Sequence, residues 1–168
     1  WPSHCGTTAH RAFVKFCKTL KPNIVVMNGD AFDGATISRH PNRDYSRLPT
    51  VAEELSAVTE RLLEIEEAAG KAKRIWCLGN HDIRLEQKLA NAVPELADVK
   101  GTRLQDHFPE WVFTWALMIN DDLMIKHRWK SGLHGVFNNA VHSGVSFCTG
   151  HLHSLKVTPW TDYNGTRY

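Results

Sequence analysis

Residues 79–82, Gly-Asn-His-Asp, constrain the fold of this chain more than any other stretch. They follow residues 74–78, a short apolar run bounded by turn residues that is typical of a buried strand, and precede a helical pattern over residues 83–93. Polar side chains therefore lie at the end of a core strand, which is where open α/β sheets bind ligands. Taken alone, the tetrapeptide is explained at least as readily by a polar loop in which Asp82 is the N-cap of the next helix.

Other predicted strands end in side chains of the same kind. An apolar run at residues 23–28 leads into a loop with two aspartates, and a strand at residues 145–149 leads into a His-Leu-His sequence. A predicted hairpin over residues 112–127 ends in a further histidine. The side chains at these strand ends are Asp30, Asp33, Asn80, His81, His127, His151 and His153.

Carboxylate and amide oxygens mixed with imidazoles suit Mn, Fe, Zn or Ni better than Ca or Mg. A carboxylate can also bridge two such ions, as in two-metal hydrolysis. Each of these features is weak by itself, because histidine pairs and aspartates are common on loops. Together, in this order and each at a strand end, they predict a metal site.

A chain of 168 residues, 42% of them hydrophobic, can bury a sizeable core, so we predict a single domain over residues 1–168. The formal net charge of +2 neither demands nucleic acid nor excludes an anionic substrate. The four cysteines form no Cys-x-x-Cys pair, and no apolar run is long enough to span a membrane. We therefore expect no membrane partner and a reducing, cytoplasmic setting.

The order of predicted elements indicates the fold class. A long helix begins after Thr50, which has capping-box spacing to Glu53, and its glutamates are expected on a solvated face. The first half reads strand, helix, strand, whereas the second half is strand-rich, with predicted strands at residues 112–119 and 155–160. This order predicts a mixed α/β sandwich rather than a purely doubly wound sheet.

The motifs at the strand ends, in this order, resemble those of the calcineurin-like metallophosphoesterases, with some likeness to phage- and prophage-type members. They are Gly-Asp-x-x-Asp at residues 29–33, Gly-Asn-His-Asp at 79–82, a lone histidine at His127 and Gly-His-x-His at 150–153. The resemblance covers nearly the whole chain. It implies a layered sandwich of two mixed β-sheets flanked by helices, and dinuclear metal-dependent hydrolysis of phosphoesters by a metal-bound hydroxide.

The resemblance also implies a role for each motif residue. Asp30 would bridge two divalent metal ions (Mn, Fe, Zn or Ni), His153 would serve one of them, and the remaining ligands would hold the other. His81 would lie near the leaving group, oriented by Asp33. The implied metal ligands are Asp30, Asn80, His127, His151 and His153.

Two departures from the family pattern affect the expected activity. The family's first motif, Asp-x-His, is absent, and we expect it just upstream of residues 1–4. We therefore expect the chain to be truncated at both ends and to be a poor catalyst as it stands. Gly34 stands where the family's protein Ser/Thr phosphatases carry arginine. This favours phosphodiesters or small phosphomonoesters, nucleotides and nucleic acids among them, over phosphoproteins, with Arg39 and Arg84 as candidate substrate-binding residues.

A third departure leaves one ligand open. His127 is followed by Arg128 rather than the usual glycine, so His134, which precedes Gly135, remains an alternative for the lone histidine. The function also has an alternative, a catalytically weak metal-binding or scaffold domain with the same fold. Intact His81 and Asp33 favour the enzyme, because a scaffold needs no proton donor.

Overall fold

The computed structural model describes residues 6–41 and 46–168, so the expectation attached to residues 1–4 lies outside the described residues. The helices are α1 (Thr8–Leu20), α2 (Val51–Ala69), α3 (Arg84–Ala92), α4 (Leu104–His107) and α5 (Gly135–Ser143), with 3₁₀ turns at Ala35–Ile37 and Pro94–Leu96. The strands are β1 (Ile24–Met27), β2 (Lys73–Cys77), β3 (Val112–Thr114), β4 (Leu117–Ile119), β5 (Leu123–Ile125), β6 (Ser146–Cys148), β7 (Trp160–Asp162) and β8 (Gly165–Arg167).

The strands form two three-stranded sheets and a separate hairpin. The first sheet has the order β1-β2-β3 and the second the order β4-β5-β6, while β7 and β8 pair only with each other within the described part of the chain. The predicted α/β fold with two sheets and flanking helices is confirmed. The second sheet is mixed, as expected. The first is parallel over its described strands, because α2 carries the chain from β1 to β2, and α3 and α4 carry it from β2 to β3.

The start of α2 follows from its sequence. The Thr50 side chain accepts a hydrogen bond from the Glu53 N–H (3.2 Å), and the Glu53 carboxylate accepts one from the Thr50 N–H (2.7 Å). Both ends of the capping box satisfy N–H groups that the helix itself cannot pair. The predicted capping box is therefore confirmed.

Trp76 on β2 is the centre of the hydrophobic core and is fully buried. Its ring stacks on Phe113 of β3 at 5.1 Å between centroids and meets Phe108 at 5.2 Å. Its indole N–H donates to the Asp82 carboxylate at 2.9 Å. The same side chain therefore anchors both the sheet and the loop that follows β2.

Two strand predictions were wrong. The stretch at residues 112–119 divides between the two sheets, because β3 pairs with β2 whereas β4 pairs with β5. The Thr114 hydroxyl donates a hydrogen bond to the Ala116 carbonyl (2.8 Å) where the chain passes from one sheet to the other. Residues 155–159 form no strand, and Leu155 and Val157 are exposed. Alternating apolar residues there gain no burial, so nothing stabilises the extended pairing that the pattern predicted.

Glu54 corrects the expectation that the glutamates of α2 lie on a solvated face. Its side chain is 1% exposed, and its two carboxylate oxygens accept N–H bonds from Gly34 (2.6 Å) and Ala35 (3.0 Å). Burial raises the pKa of the Glu54 carboxyl, and these two hydrogen bonds oppose that rise. Because Gly34 and Ala35 directly follow Asp33, Glu54 fixes the loop after β1 to the long helix.

We expect Glu54→Gln to lower the free energy of unfolding by about 1–3 kcal/mol, because an amide offers one acceptor oxygen where two buried N–H groups need partners. The matched control is Glu67→Gln on the same helix, whose side chain is exposed and whose replacement should cost less than about 0.5 kcal/mol. Urea unfolding of both variants measures the difference. Equal stabilities would show that Glu54 does not hold the loop.

Candidate metal centre

Asp82 joins the loop after β1 to the loop after β2. Its carboxylate is completely buried and accepts hydrogen bonds from the backbone N–H groups of Gly79 (2.7 Å), Asp30 (2.9 Å) and Phe32 (3.2 Å), besides the bond from Trp76. The sequence had suggested Asp82 only as a helix cap. In the structure it positions Asp30, whose own carboxylate accepts the His81 N–H at 2.9 Å.

Two motif glycines allow the loops to approach this closely. A Cβ on Gly79 would lie 2.1 Å from Asp30 Oδ1 and 2.6 Å from the Asp30 nitrogen. A Cβ on Gly150 would lie 2.9 Å from His127 Nδ1 and 3.0 Å from the Asn28 carbonyl oxygen. These contacts are closer than side-chain carbons tolerate, so each motif needs a residue without a side chain beside its functional groups.

Three predicted ligands meet at one point. The ligand atoms of Asp30, His127 and His151 all lie within 4.8 Å of one another. His127 Nε2 is 2.9 Å from Asp30 Oδ2, and the two histidine rings are 5.6 Å apart between centroids. One carboxylate and two imidazoles at this spacing could hold a divalent metal ion.

Unpaired buried atoms support a metal at this point. Among the described residues, four buried side-chain atoms from the loops at this site make no hydrogen bond of good geometry. They are Asp30 Oδ2, His127 Nε2, Asn80 Oδ1 and Asn28 Oδ1, the first two of which face each other at 2.9 Å. Buried polar atoms without hydrogen bonds are costly, and all four can donate an electron pair to a cation. The donor set therefore fits a divalent metal ion.

The ring of His127 is oriented by a residue that sequence reasoning missed. His127 is 2% exposed, and its Nδ1 lies 2.7 Å from the Asn28 carbonyl oxygen. A carbonyl can only accept, so this contact places the proton on Nδ1 and leaves Nε2 to face Asp30. Asn28 directly precedes the Gly29-Asp30 motif at the end of β1, but nothing in the sequence indicates that its carbonyl meets a residue 99 positions away.

Burial and neighbouring charges shift the pKa values of all three residues in this group. Burial raises the pKa of the Asp30 carboxyl, but the His127 ring and the His81 N–H outweigh burial and hold that pKa below its usual range. Burial lowers the pKa of His127, but Asp30 and the Asn28 carbonyl outweigh burial and raise it. The pKa of His151 is lowered by burial and then by the nearby charge of Arg128. A lowered pKa keeps the His151 ring neutral, which is the form that binds metals.

Backbone strain is concentrated in the same place. Asp30 (φ 56°), His151 (φ 29°) and His153 (φ 51°) all lie in the left-handed region, which side chains other than glycine seldom adopt. Such conformations persist only where the surrounding contacts impose them, and they cluster at functional sites.

The remaining predicted ligands are less closely gathered. Asn80 points a buried, unpaired oxygen from the loop that contacts Asp30. His153 is exposed and lies outside the group of three. Of the two alternatives for the lone histidine, His127 belongs to the group, whereas His134 is exposed at the start of α5.

Beside the metal group lies a second polar cluster. His81 Nδ1 is 2.7 Å from Asp33 Oδ1, and the Arg84 guanidinium donates to the same oxygen (2.8 Å) and to the Asp33 carbonyl (2.6 Å). His81 Nε2 faces the metal group, 3.9 Å from Asp30 Oδ2. Arg84 thus holds Asp33, while Arg39 is exposed on the loop after the first 3₁₀ turn.

Comparison with known proteins adds a family to this geometry. A family model for calcineurin-like phosphoesterases matches residues 4–165. The chain belongs to this family. No curated protein and no solved structure matches it. In the phosphoesterase, no helix of the described residues is long and apolar enough to cross a membrane.

We expect His127→Ala to weaken metal binding by the phosphoesterase at least roughly ten-fold, because it removes a ligand from a buried group. His134→Ala should leave metal binding unchanged. Titration of the metal-free chains with Mn²⁺, followed by elemental analysis after dialysis, measures both. A loss of metal in His134→Ala and not in His127→Ala would show that His134, and not His127, is the metal ligand.

Proposed function

We propose that this phosphoesterase hydrolyses phosphodiesters or small phosphomonoesters with two divalent metal ions. One observation carries the proposal: unpaired, buried ligand atoms on Asp30, Asn80 and His127 lie beside a hydrogen-bonded pair of His81 and Asp33. The first group suits a cation, and the second suits a proton transfer. The two together are the parts that metal-assisted ester hydrolysis requires.

In this proposal, the metal ligands come from four loops, those that follow β1, β2, β5 and β6. Asp30, Asn80, His127 and His151 would hold one ion, and Asp30 and His153 would hold the other. When bound, divalent ions of Mn, Fe, Zn or Ni supply positive charge that activates water and stabilises the phosphoryl oxygens.

His81 is the proposed proton donor to the leaving group. Asp33 Oδ1 lies 2.7 Å from His81 Nδ1 and can accept its N–H, an orientation that directs Nε2 toward the metal group. When the P–O bond breaks, the proton on Nε2 passes to the departing oxygen and the ring becomes neutral. Arg84 donates one hydrogen bond to the Asp33 carboxylate and one to the Asp33 backbone carbonyl, which holds Asp33 in place beside His81.

The choice of substrate rests on Gly34. Its φ is 60°, and a Cβ there would lie 2.9 Å from Phe32 and 3.3 Å from the Arg84 side chain. An arginine at position 34 would therefore be strained and crowded, which leaves this loop without the guanidinium that could clamp a phosphate. Arg39 and Arg84 are the proposed replacements, and a nucleotide or nucleic acid is the proposed partner.

The proposal includes a reducing, cytoplasmic setting. The thiols of Cys17 and Cys77 are buried and free, and Cys148 is free and exposed. Burial, together with Cys148, raises the pKa of the Cys77 thiol to about 11, so it behaves as a core side chain rather than a nucleophile. Free thiols are typical of reducing compartments.

We expect the metal-free chain to be inactive, and added Mn²⁺, Fe²⁺, Zn²⁺ or Ni²⁺ to produce slow hydrolysis of bis(p-nitrophenyl) phosphate and of nucleotide esters, since this chain is expected to be a poor catalyst. A phosphoserine peptide should be hydrolysed more slowly, because no arginine stands at position 34. Initial rates across the metals and substrates measure this. A chain that binds metal tightly but hydrolyses none of them would instead be the metal-binding or scaffold domain.

We expect His81→Ala to lower kcat by about 10²–10⁴, the usual contribution of a general acid, while metal content is retained. The loss should be larger for an alkyl diester than for a nitrophenyl diester, because a poor leaving group depends more on the donated proton. His142→Ala, an exposed histidine on α5, is the matched control. A His81→Ala variant that loses its metals would show that His81 is a ligand instead.

A further inference from the structure

A polar cleft opens directly beside the metal group. It has a volume of about 520 Å³, and it shares Asn80 with the proposed ligands and Arg84 with the His81–Asp33 pair. Its walls come from three parts of the chain: the loop after the first 3₁₀ turn, one face of α3, and the residue that follows His127. A substrate bound at the metals would therefore extend into this cleft.

The charge of the cleft is entirely of one sign over the described residues. Its cationic side chains are Arg39, Arg84, Lys88 and Arg128, together with His40, and no described aspartate or glutamate lines it. The chain as a whole has a formal charge of only +2, so this concentration is local. A cleft lined by one sign of charge focuses the field and attracts a polyanion.

The cleft is elongated along α3. Arg84, Gln87, Lys88 and Asn91 recur at helical spacing on one face and line it together. At a rise of about 1.5 Å per residue, this face is about 10 Å long. Each strand of a DNA duplex carries one phosphate about every 3.4 Å of helix axis. An extended single strand spaces its phosphates more widely, so this face can contact about two of them.

Arg128 lines the cleft from a different part of the chain than α3. It follows the ligand His127 directly, is exposed, and lies where the family usually has glycine. Unlike Arg84, which is bonded to Asp33, Arg128 and Lys88 have no ion pair in the described part of the structure. Their charges therefore remain available to an anion.

We propose that this cleft binds the backbone phosphates that flank the scissile phosphodiester of a single-stranded nucleic acid, with Lys88 and Arg128 as specificity-determining residues. The inference rests on the proposed function, since it names the substrate class of that same site. A volume of about 520 Å³ is that of a pocket for one drug-sized ligand, which suits a short stretch of one strand and is too small to enclose a duplex.

The cleft reads the backbone rather than the bases. Among the described residues no Phe, Tyr or Trp lines it, and His40 is its one aromatic ring, so it lacks the row of large rings on which successive bases stack. Binding is therefore electrostatic, insensitive to base sequence, and strongly dependent on salt.

Binding is tested by fluorescence anisotropy of the metal-free chain with a labelled single strand of about six nucleotides. Lys88→Gln and Arg128→Gln should each weaken binding about ten-fold at low salt and reduce the slope of log K against log[salt] by about 0.7, the value for one lost phosphate contact on a single strand. Lys18→Gln, an exposed lysine on α1, should change neither. Equal affinities for all three variants would overturn the proposal.

Three competitors define the ligand. An abasic strand of the same length should compete as well as the normal strand, whereas a duplex and inorganic pyrophosphate should compete at least ten-fold more weakly. A duplex that competes as well as the single strand, or pyrophosphate that does so, would overturn the assignment to a single strand. An abasic strand that fails to compete would show that the bases are read instead.

Kinetics separate this proposal from the function on which it rests. In Lys88→Gln and Arg128→Gln, kcat/KM for a short oligonucleotide should fall about ten-fold more than kcat/KM for bis(p-nitrophenyl) phosphate, with most of the loss in KM. Equal losses on both substrates would overturn the cleft assignment while the hydrolytic function stands. Salt-dependent strand binding without metal-dependent hydrolysis would overturn the proposed function and leave the cleft as a binding site.

Discussion

The buried carboxylate of Asp82 is the interaction on which the site depends. It accepts four hydrogen bonds, from the N–H groups of Gly79, Asp30 and Phe32 and from the Trp76 indole. Burial raises the Asp82 pKa, and these four donors oppose the rise. A carboxylate in this position is tolerated only while all its donors are present, so the loops after β1 and β2 are held in one arrangement.

That arrangement explains why strain and unpaired atoms occur together. Holding the β1 loop on Asp82 fixes Asp30 at a positive φ and turns its Oδ2 toward His127 rather than toward a donor. Glu54 secures the far end of the same loop from α2. The loop is thus fixed at both ends by buried carboxylates, and its middle presents ligand atoms that the protein itself does not satisfy.

The sequence grouped Asp30, His127 and His151, and the structure brings these three side chains together. That proximity was predictable because each of them follows a strand, and polar residues at strand ends meet at one edge of a sheet. The partners that orient these ligands were not predictable. Asn28 reaches His127 across 99 positions, Glu54 reaches Gly34 across 20, and Arg84 reaches Asp33 across 51. Such contacts depend on how the elements pack, and they leave no periodic signal.

The strand errors have the same origin. Residues 112–119 carry an unbroken apolar pattern, but their hydrogen bonds divide between two sheets at Thr114–Ala116, a division that depends on which strands are adjacent in space. Residues 155–159 have the pattern of a strand without a partner to pair with among the described residues. Local pattern records which residues can be extended, whereas pairing is decided by neighbours distant in sequence.

Electrostatics connects the metal group to the cleft beside it. Asp30 Oδ2 and His127 Nε2 lie 2.9 Å apart, and their attraction lowers the pKa of Asp30 and raises that of His127 against the effect of burial. A metal ion bound here would compete with a proton for Nε2 of His127. The cleft that shares Asn80 with the metal group has a positive electrostatic potential, because its residues Arg39, Lys88 and Arg128 are cationic. In the proposed reaction, the cleft would attract an anion with several phosphates, and the charge of its other phosphates would stay paired there while one phosphate reacts.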